Sequence, residues 1–329
     1  MMPEVLVEIR GLVINFYTYR GVVKAINGVN LHINRGEFFG LVGETGCGKS
    51  VTGSAILNLV QNPGKIEKGE ILFKGKDILR MSEDEIREKI RGKEITMIMQ
   101  HPIAALNPVI KNGDQIAEAL SKRLSEDEAR KRTIELLKEV NIPEPEKIAK
   151  QYPHQLSGGM AQRVMIAMML ATEPSLLIAD EPTTALDVSI QAQVLMLLED
   201  LIKRHKASVL LITHDLSIVA ETCERVGVMY AGDMVEVGKV DQIINNPKHP
   251  YTVGLMRAIP SERSKELLGI KGGVPDLVNP PLGCRFHPRC DYAMDICKEE
   301  KPKTNEVESG HTAACFLYEG GIRGRDNTA

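Results

Sequence analysis

Gly43-Glu44-Thr45-Gly46-Cys47-Gly48-Lys49-Ser50 stands between two very different stretches. The residues before it, Phe38-Phe39-Gly40-Leu41-Val42, form a short apolar run that reads as a buried strand. Residues 51–60, which follow it, read as a helix. Strand, glycine-rich turn and helix make a P-loop. Gly43, Gly46 and Gly48 let the backbone curl so that successive N–H groups point inward and cradle phosphate oxygens. A helix starting near Lys49 adds the positive end of its dipole. In such loops the lysine, here Lys49, reaches the β- and γ-phosphates, and the Ser50 hydroxyl ligates Mg²⁺. The expected phosphate-contacting set is therefore Gly43, Glu44, Thr45, Gly46, Cys47, Gly48, Lys49, Ser50 and Val51.

Upstream, residues 5–9 and 11–16 alternate as strands do, and residues 28–33 make another before the turn Asn34-Arg35-Gly36-Glu37. Antiparallel strands ahead of a P-loop are unlike a simple doubly wound fold. Phe16, Tyr17 and Tyr19 lie among them, and one of these rings could stack on a base. Downstream, Pro63-Gly64 ends the P-loop helix, and residues 69–73 with Lys74-Gly75-Lys76-Asp77 read as a hairpin. Ser82-x-x-Glu85 and Ser125-x-x-Glu128 are capping boxes, the second opening a helix to about Val140. Residues 95–99 form a buried strand ending at Gln100. Residues 101–165 look mainly helical and inserted between two sheet regions.

A second group of motifs follows. In Leu156-Ser157-Gly158-Gly159-Met160, Ser157 is placed to N-cap an apolar helix running to Pro174. Residues 175–179 make an apolar strand closed by Asp180-Glu181-Pro182. Two carboxylates at the carboxyl end of a buried strand, downstream of a P-loop, suggest a Walker B element. Asp180 would hold Mg²⁺ and Glu181 would polarise the attacking water. Residues 208–213 are the next buried strand, with His214 at the rim where α/β sheets face their ligands.

Composition sets bounds on all of this. With 329 residues, a large domain and a smaller one are expected, and 43% hydrophobic residues suffice for a core. A net charge of −3 gives no case for a general nucleic-acid surface. No signal peptide is visible, and no stretch approaches 18 consecutive apolar residues, so any membrane role is expected to run through a partner. The six cysteines are uneven: Cys47 and Cys223 are scattered, while Cys284, Cys290, Cys297 and Cys315 crowd a proline-rich tail. That clustering suggests a metal rather than disulfides. Their spacings match neither paired zinc motifs nor the bacterial ferredoxin run. A loop-rich segment with little apolar content needs a staple, and a metal supplies one.

These motifs, in this order, resemble the ATP-binding subunit of an ABC transporter, over residues 1 to about 245. Leu156-Ser157-Gly158-Gly159-Met160 is similar to the ABC signature, Gln100 to the Q-loop glutamine, Ala185-Leu186-Asp187 to the D-loop, and His214 to the switch histidine. The resemblance implies an α/β P-loop ABC ATPase with an antiparallel β subdomain, a helical subdomain over about 101–165, and catalysis by Glu181 and His214. It implies Phe16 against the adenine, Gln100 beside Mg²⁺, and Asp187 at the nucleotide. It also implies two such domains facing head to tail, each ATP lying between one P-loop and the other's Ser157, Gly158 and Gly159. Ala104-Ala105-Leu106-Asn107-Pro108, Tyr152-Pro153-His154-Gln155 and His249-Pro250-Tyr251-Thr252 narrow the match to the oligopeptide/dipeptide importer subfamily. Position 47 departs from it, with Cys where Ser is usual.

That subfamily implies a loop-rich module over 246–329 whose four cysteines hold an iron–sulfur cluster, [4Fe-4S] by type. Zinc on the same thiolates is the other candidate, with His287 as a spare ligand. The implied partners are a second ATP-binding subunit, a paralogue; two membrane-spanning permease subunits; and, through them, an external solute-binding protein. The chain would sit on the cytoplasmic face of the membrane and drive import of di- or oligopeptides, or of oligosaccharides or nickel as in other relatives. A soluble ABC protein acting on nucleic acid or ribosomes would call for a second P-loop, a coiled-coil insertion or a basic patch, and the sequence displays none. A purely regulatory nucleotide-binding module would lack Glu181 or His214.

Overall fold

The computed structural model describes residues 4–100, 102–184, 187–258 and 269–321. In chain order its strands are β1 (Val5–Thr18), β2 (Gly21–Asn34), β3 (Phe38–Val42), β4 (Gly64–Phe73), β5 (Lys76–Asp77), β6 (Ile95–Ile98), β7 (Leu176–Asp180), β8 (Ser208–Ile212), β9 (Arg225–Tyr230), β10 (Asp233–Lys239), β11 (Thr304–Glu308) and β12 (His311–Ala314). The helices are α1 (Lys49–Ile56), α2 (Glu83–Lys89), α3 (Pro102–Ala105), α4 (Asn112–Leu120), α5 (Glu126–Glu139), α6 (Pro145–Ala149), α7 (Gly158–Leu170), α8 (Val188–His205), α9 (Leu216–Thr222), α10 (Val240–Asn245), α11 (Pro250–Arg257) and α12 (Ile296–Glu299). They fall into two compact units that interleave along the chain. Among the described residues, the first holds Glu4, Asn34–Glu37 and those from Arg80 to Ile212; the second holds Val5–Ile33, Phe38–Leu79 and those from Thr213 to Gly321.

In the first unit β6, β7 and β8 run parallel, with Ile95 beside Leu176 and Leu176 beside Ser208. Every residue of β7 and β8 is buried, as unbroken apolar runs require when both faces of a parallel sheet are covered. Helices α4 to α7 pack on one another through Ile116, Leu120, Leu136, Leu137 and Ile148. Both capping boxes form. The Ser82 hydroxyl accepts the Glu85 N–H while Glu85 accepts the Ser82 N–H; at the second box the Glu128 carboxylate accepts both the Ser125 N–H, at 2.9 Å, and the Ser125 hydroxyl, at 2.6 Å. Helix α7 begins where expected, on Ser157, but ends at Leu170 rather than at Pro174.

The second unit contains the antiparallel sheet β2-β1-β4-β5. The two strands expected over residues 5–9 and 11–16 are one strand, broken in register between Arg10 and Val13. Gly11, at φ +58°, takes up that bulge without a Cβ penalty. In the same unit β3 lies parallel to β9, β9 pairs antiparallel with β10, β10 with β12, and β12 with β11. The tail expected to be loop-dominated therefore also contributes a hairpin, whose strand β12 extends a sheet. It also places large side chains in the core. Tyr230, Tyr251 and Phe286 pack in tilted and edge-to-face pairs with ring centroids 4.6 to 5.5 Å apart. His249, fully buried beside them, has its pKa pushed down to about 4 by burial, and its neutral Nδ1 accepts the Tyr251 N–H at the start of α11.

Candidate functional site

The loop over residues 43–50 leaves buried β3 and feeds α1. Gly43, Gly46 and Gly48 have φ of +151°, +81° and +106°. A Cβ on Gly43 would lie 2.1 Å from the Met229 carbonyl oxygen, so a larger residue cannot be fitted there. Lys49 is buried, and its ammonium donates to the carbonyls of Gly43 and Glu44 at 2.7 and 3.2 Å. Thr45, Gly46 and Ser50 are exposed, so the rim of the loop is open to a ligand. Cys47 is fully buried, and burial raises its pKa. A thiol held neutral is a poor nucleophile.

The helix after the loop stops at Ile56, short of the expected Val60. Asn58 turns left-handed at φ +51° and ends it. On β1, Phe16 is half-buried opposite Gly64, where its ring fills the space a Cβ would take. His214 is exposed just beyond β8, and the next residue, Asp215, caps α9 by accepting the Ser217 N–H at 2.8 Å.

Within the first unit, the end of β7 gathers several of the expected groups. Asp180 is buried, and Glu181 adopts φ +45°, a left-handed backbone uncommon for a residue with a Cβ. Glu181 Oε2 accepts from Gln100 Nε2 at 3.0 Å and from Thr184 Oγ1 at 2.8 Å. Carboxylate, amide and hydroxyl are thus brought together across 81 residues of chain. Thr184 was not among the sequence candidates; its place three residues after Glu181 was the available signal. Ser157, Gly158 and Gly159 form the start of α7, with the exposed Ser157 accepting the Met160 N–H at 3.4 Å. Asp187 is exposed at the start of α8, and Ala185 and Leu186 lie outside the described residues.

Cys284, Cys290, Cys297 and Cys315 line one pocket, together with His249, Phe286, His287 and Phe316. All four thiols are unpaired with one another as disulfides. Burial pushes Cys284 up to about 11, Cys315 up to about 12 and Cys290 upward, and neighbouring thiols add to each. Against this, backbone N–H groups of Phe286, Tyr292 and Leu317 bond to Cys284, Cys290 and Cys315 and favour the thiolate. The Met294 N–H also bonds to Cys297 Sγ, at 3.5 Å. Among the described residues, no three His, Cys, Asp or Glu side chains form a group that could hold a metal ion.

Sequence candidates did not include Tyr251 as a phosphate-loop contact, nor Arg289 at all. The Glu44 N–H donates to the Tyr251 hydroxyl at 2.9 Å, and Arg289 Nη1 and Nη2 grip the Glu44 carboxylate at 2.7 and 3.1 Å.

Comparison with known proteins fits this geometry. Residues 26–184 match the ABC transporter family model, and residues 235–297 match that of the oligopeptide/dipeptide transporter C-terminal region. The oligopeptide transport ATP-binding protein OppD of Bacillus subtilis is 52% identical over 95% of this chain and 88% of its own. The chain belongs to the ABC transporter ATP-binding proteins of the oligopeptide/dipeptide group. Another relative, the dipeptide transport ATP-binding protein DppD of Bacillus subtilis, is 47% identical over 96% of both chains. Among solved structures, the dimeric bacterial ABC transporter cassette MJ0796 matches with a TM-score of 0.63 at 30% identity, covering 71% of this chain and 99% of that one. A post-hydrolysis state of the same cassette, bound to ADP and Pi, matches equally. This ABC ATPase thus has the cassette fold, α/β with an antiparallel sheet. Among the described residues no helix is long and apolar enough to cross a membrane.

Proposed function

We infer that this ABC ATPase hydrolyses ATP to drive uptake of di- or oligopeptides, as the energy-coupling subunit of an importer. The observation that carries the peptide assignment is the C-terminal match over residues 235–297, which goes beyond the transporter match over 26–184. In this reading residues 43–51 cradle the phosphates, Lys49 neutralises them, and Ser50, Asp180 and Gln100 serve Mg²⁺. Glu181 polarises water, with His214 as the switch residue, and Phe16 stacks on adenine. Ser157, Gly158, Gly159 and Asp187 serve the ATP shared with a second ATP-binding subunit, a paralogue. A glycine-rich helix N-terminus such as that of α7 is an anion site, and its own P-loop already claims one phosphate.

The helices over about 101–165 form the helical subdomain that meets two permease subunits at the cytoplasmic face of the membrane. An external solute-binding protein delivers the peptide. The test is reconstitution with the permease subunits and solute-binding protein that copurify with it: peptide should stimulate ATP hydrolysis, and labelled peptide should accumulate only with ATP. Stimulation by a sugar or by nickel instead would reassign the solute.

The loop-rich module over 246–329 holds a structural iron–sulfur cluster on Cys284, Cys290, Cys297 and Cys315. Their common pocket and their four N–H···S contacts suit thiolate ligands. Zinc on the same four thiolates is the alternative, and the metal content of the purified protein separates the two. When bound, the cluster supplies a cation-rich centre that lets four thiolates share one pocket. The chain's residues supply the thiolates, the N–H donors and an apolar wall of Phe286 and Phe316.

A further inference from the structure

Glu44, the second residue of the phosphate loop, is held by groups more than 200 residues away in sequence. Its N–H rests on the Tyr251 hydroxyl at 2.9 Å, and its carboxylate takes two parallel bonds from Arg289 at 2.7 and 3.1 Å. Arg289 is fixed in turn. Its Nε donates to the Lys271 carbonyl at 2.8 Å, Nη1 donates to the Tyr230 hydroxyl at 3.3 Å, and the guanidinium lies 5.6 Å from the Tyr230 ring centroid. The Arg289 side chain is only 6% exposed and that of Glu44 27%. The bond to Glu44 is the main reason the Arg289 guanidinium is held above its usual pKa range. Bidentate pairing between planar groups fixes orientation as well as distance. Tyr251 and Tyr230 are fully buried with ring centroids 4.6 Å apart, so the anchors are rigid. Lys49 binds the Gly43 and Glu44 carbonyls, which completes the restraint on this turn of the loop. A phosphate cradle binds well only when its N–H groups already converge, because ordering them at the moment of binding costs affinity.

We propose that Arg289 and Tyr251 are positioning residues for the phosphate loop: they hold Glu44, and through it residues 43–50, in the conformation that takes nucleotide phosphates. Affinity for ATP thereby depends on the folded C-terminal region. One peptide bond separates Arg289 from Cys290, so the backbone that carries the thiol pocket also carries the clamp on the loop. The proposal rests on the reading of residues 43–50 as the ATP site.

The test uses the full-length chain, with a fluorescent ATP analogue and Mg²⁺ for affinity, and thermal melting for folding. Arg289→Met should weaken binding by about tenfold, the value of one charge-assisted interaction, and Tyr251→Phe by about threefold. In steady state with the partner subunits, both should raise KM for ATP with kcat nearly unchanged. In a Glu44→Gln background, the effect of Arg289→Met should shrink to under about twofold, because the carboxylate it acts through is gone. If Arg289→Met fails to fold, Tyr251→Phe, which removes a single oxygen, decides alone. Wild-type affinity in the folded variants overturns the proposal, as does a loss from Arg289→Met that is undiminished beside Glu44→Gln. Wild-type protein that binds no nucleotide, with Lys49→Ala indistinguishable from it, would instead overturn the underlying ATP site.

Discussion

Replacing Glu181 by Gln removes one charge and keeps the side chain's shape. The two bonds to Oε2, from Gln100 at 3.0 Å and from Thr184 at 2.8 Å, can both be accepted by a glutamine carbonyl oxygen in the same place. The left-handed backbone at φ +45° costs about 1–2 kcal/mol for any residue with a Cβ, so it cancels between Glu and Gln. Stability should therefore change by less than about 1 kcal/mol, and nucleotide affinity by less than about threefold. Turnover should not survive. A positioned general base is worth about 10²–10⁴ in rate. At about 1.36 kcal/mol per decade, that adds roughly 2.7–5.4 kcal/mol to the barrier. The assay is phosphate release at saturating MgATP by the chain with its partner subunits, beside a nucleotide titration of the same preparation. Turnover within about threefold of wild type would refute the assignment, since a catalytic base is worth at least about 10². A parallel collapse of nucleotide affinity would refute it too, by making Glu181 a binding residue.

Three further outcomes follow from the same geometry. Lys49→Ala removes a buried ammonium aimed into the loop, and should lower nucleotide affinity at least about tenfold, read by the same titration. Phe286→Ala leaves a hole between Tyr230 and Tyr251, and should cost about 3–5 kcal/mol in a denaturant melt; a loss under about 1 kcal/mol would mean that this core can collapse around the gap. Anaerobically purified protein should be brown, with broad visible absorption and about four irons per chain. Colourless protein with stoichiometric zinc would reassign the site, and metal-free protein with four titratable thiols would remove it.

Much of this chain was legible before any coordinates. The loop glycines at 43, 46 and 48, the capping boxes at Ser82 and Ser125, the N-cap Ser157 and the buried strand before Asp180-Glu181 are all local signals. Each rests on a backbone angle, a cap or a burial pattern that neighbouring residues dictate. Helix ends were less legible. The P-loop helix was expected to continue to Val60, yet Asn58 terminates it, because Asn reaches the left-handed region at small cost and no proline was needed to stop the helix sooner.

The sequence by itself determined the glycine-rich loop over residues 43–50, the order of the family's motifs and the clustering of four cysteines in the tail, since these are patterns of spacing. Only the tertiary structure decided that Gln100 and Thr184 share one oxygen of Glu181. Likewise it decided that β12 pairs with β10, and that Arg289 and Tyr251 close on Glu44. Those contacts join residues 81, 75 and more than 200 positions apart. Periodicity cannot carry such information. A buried carboxylate or an unpaired strand edge needs a partner, but which partner it meets is settled when loops close and the core packs.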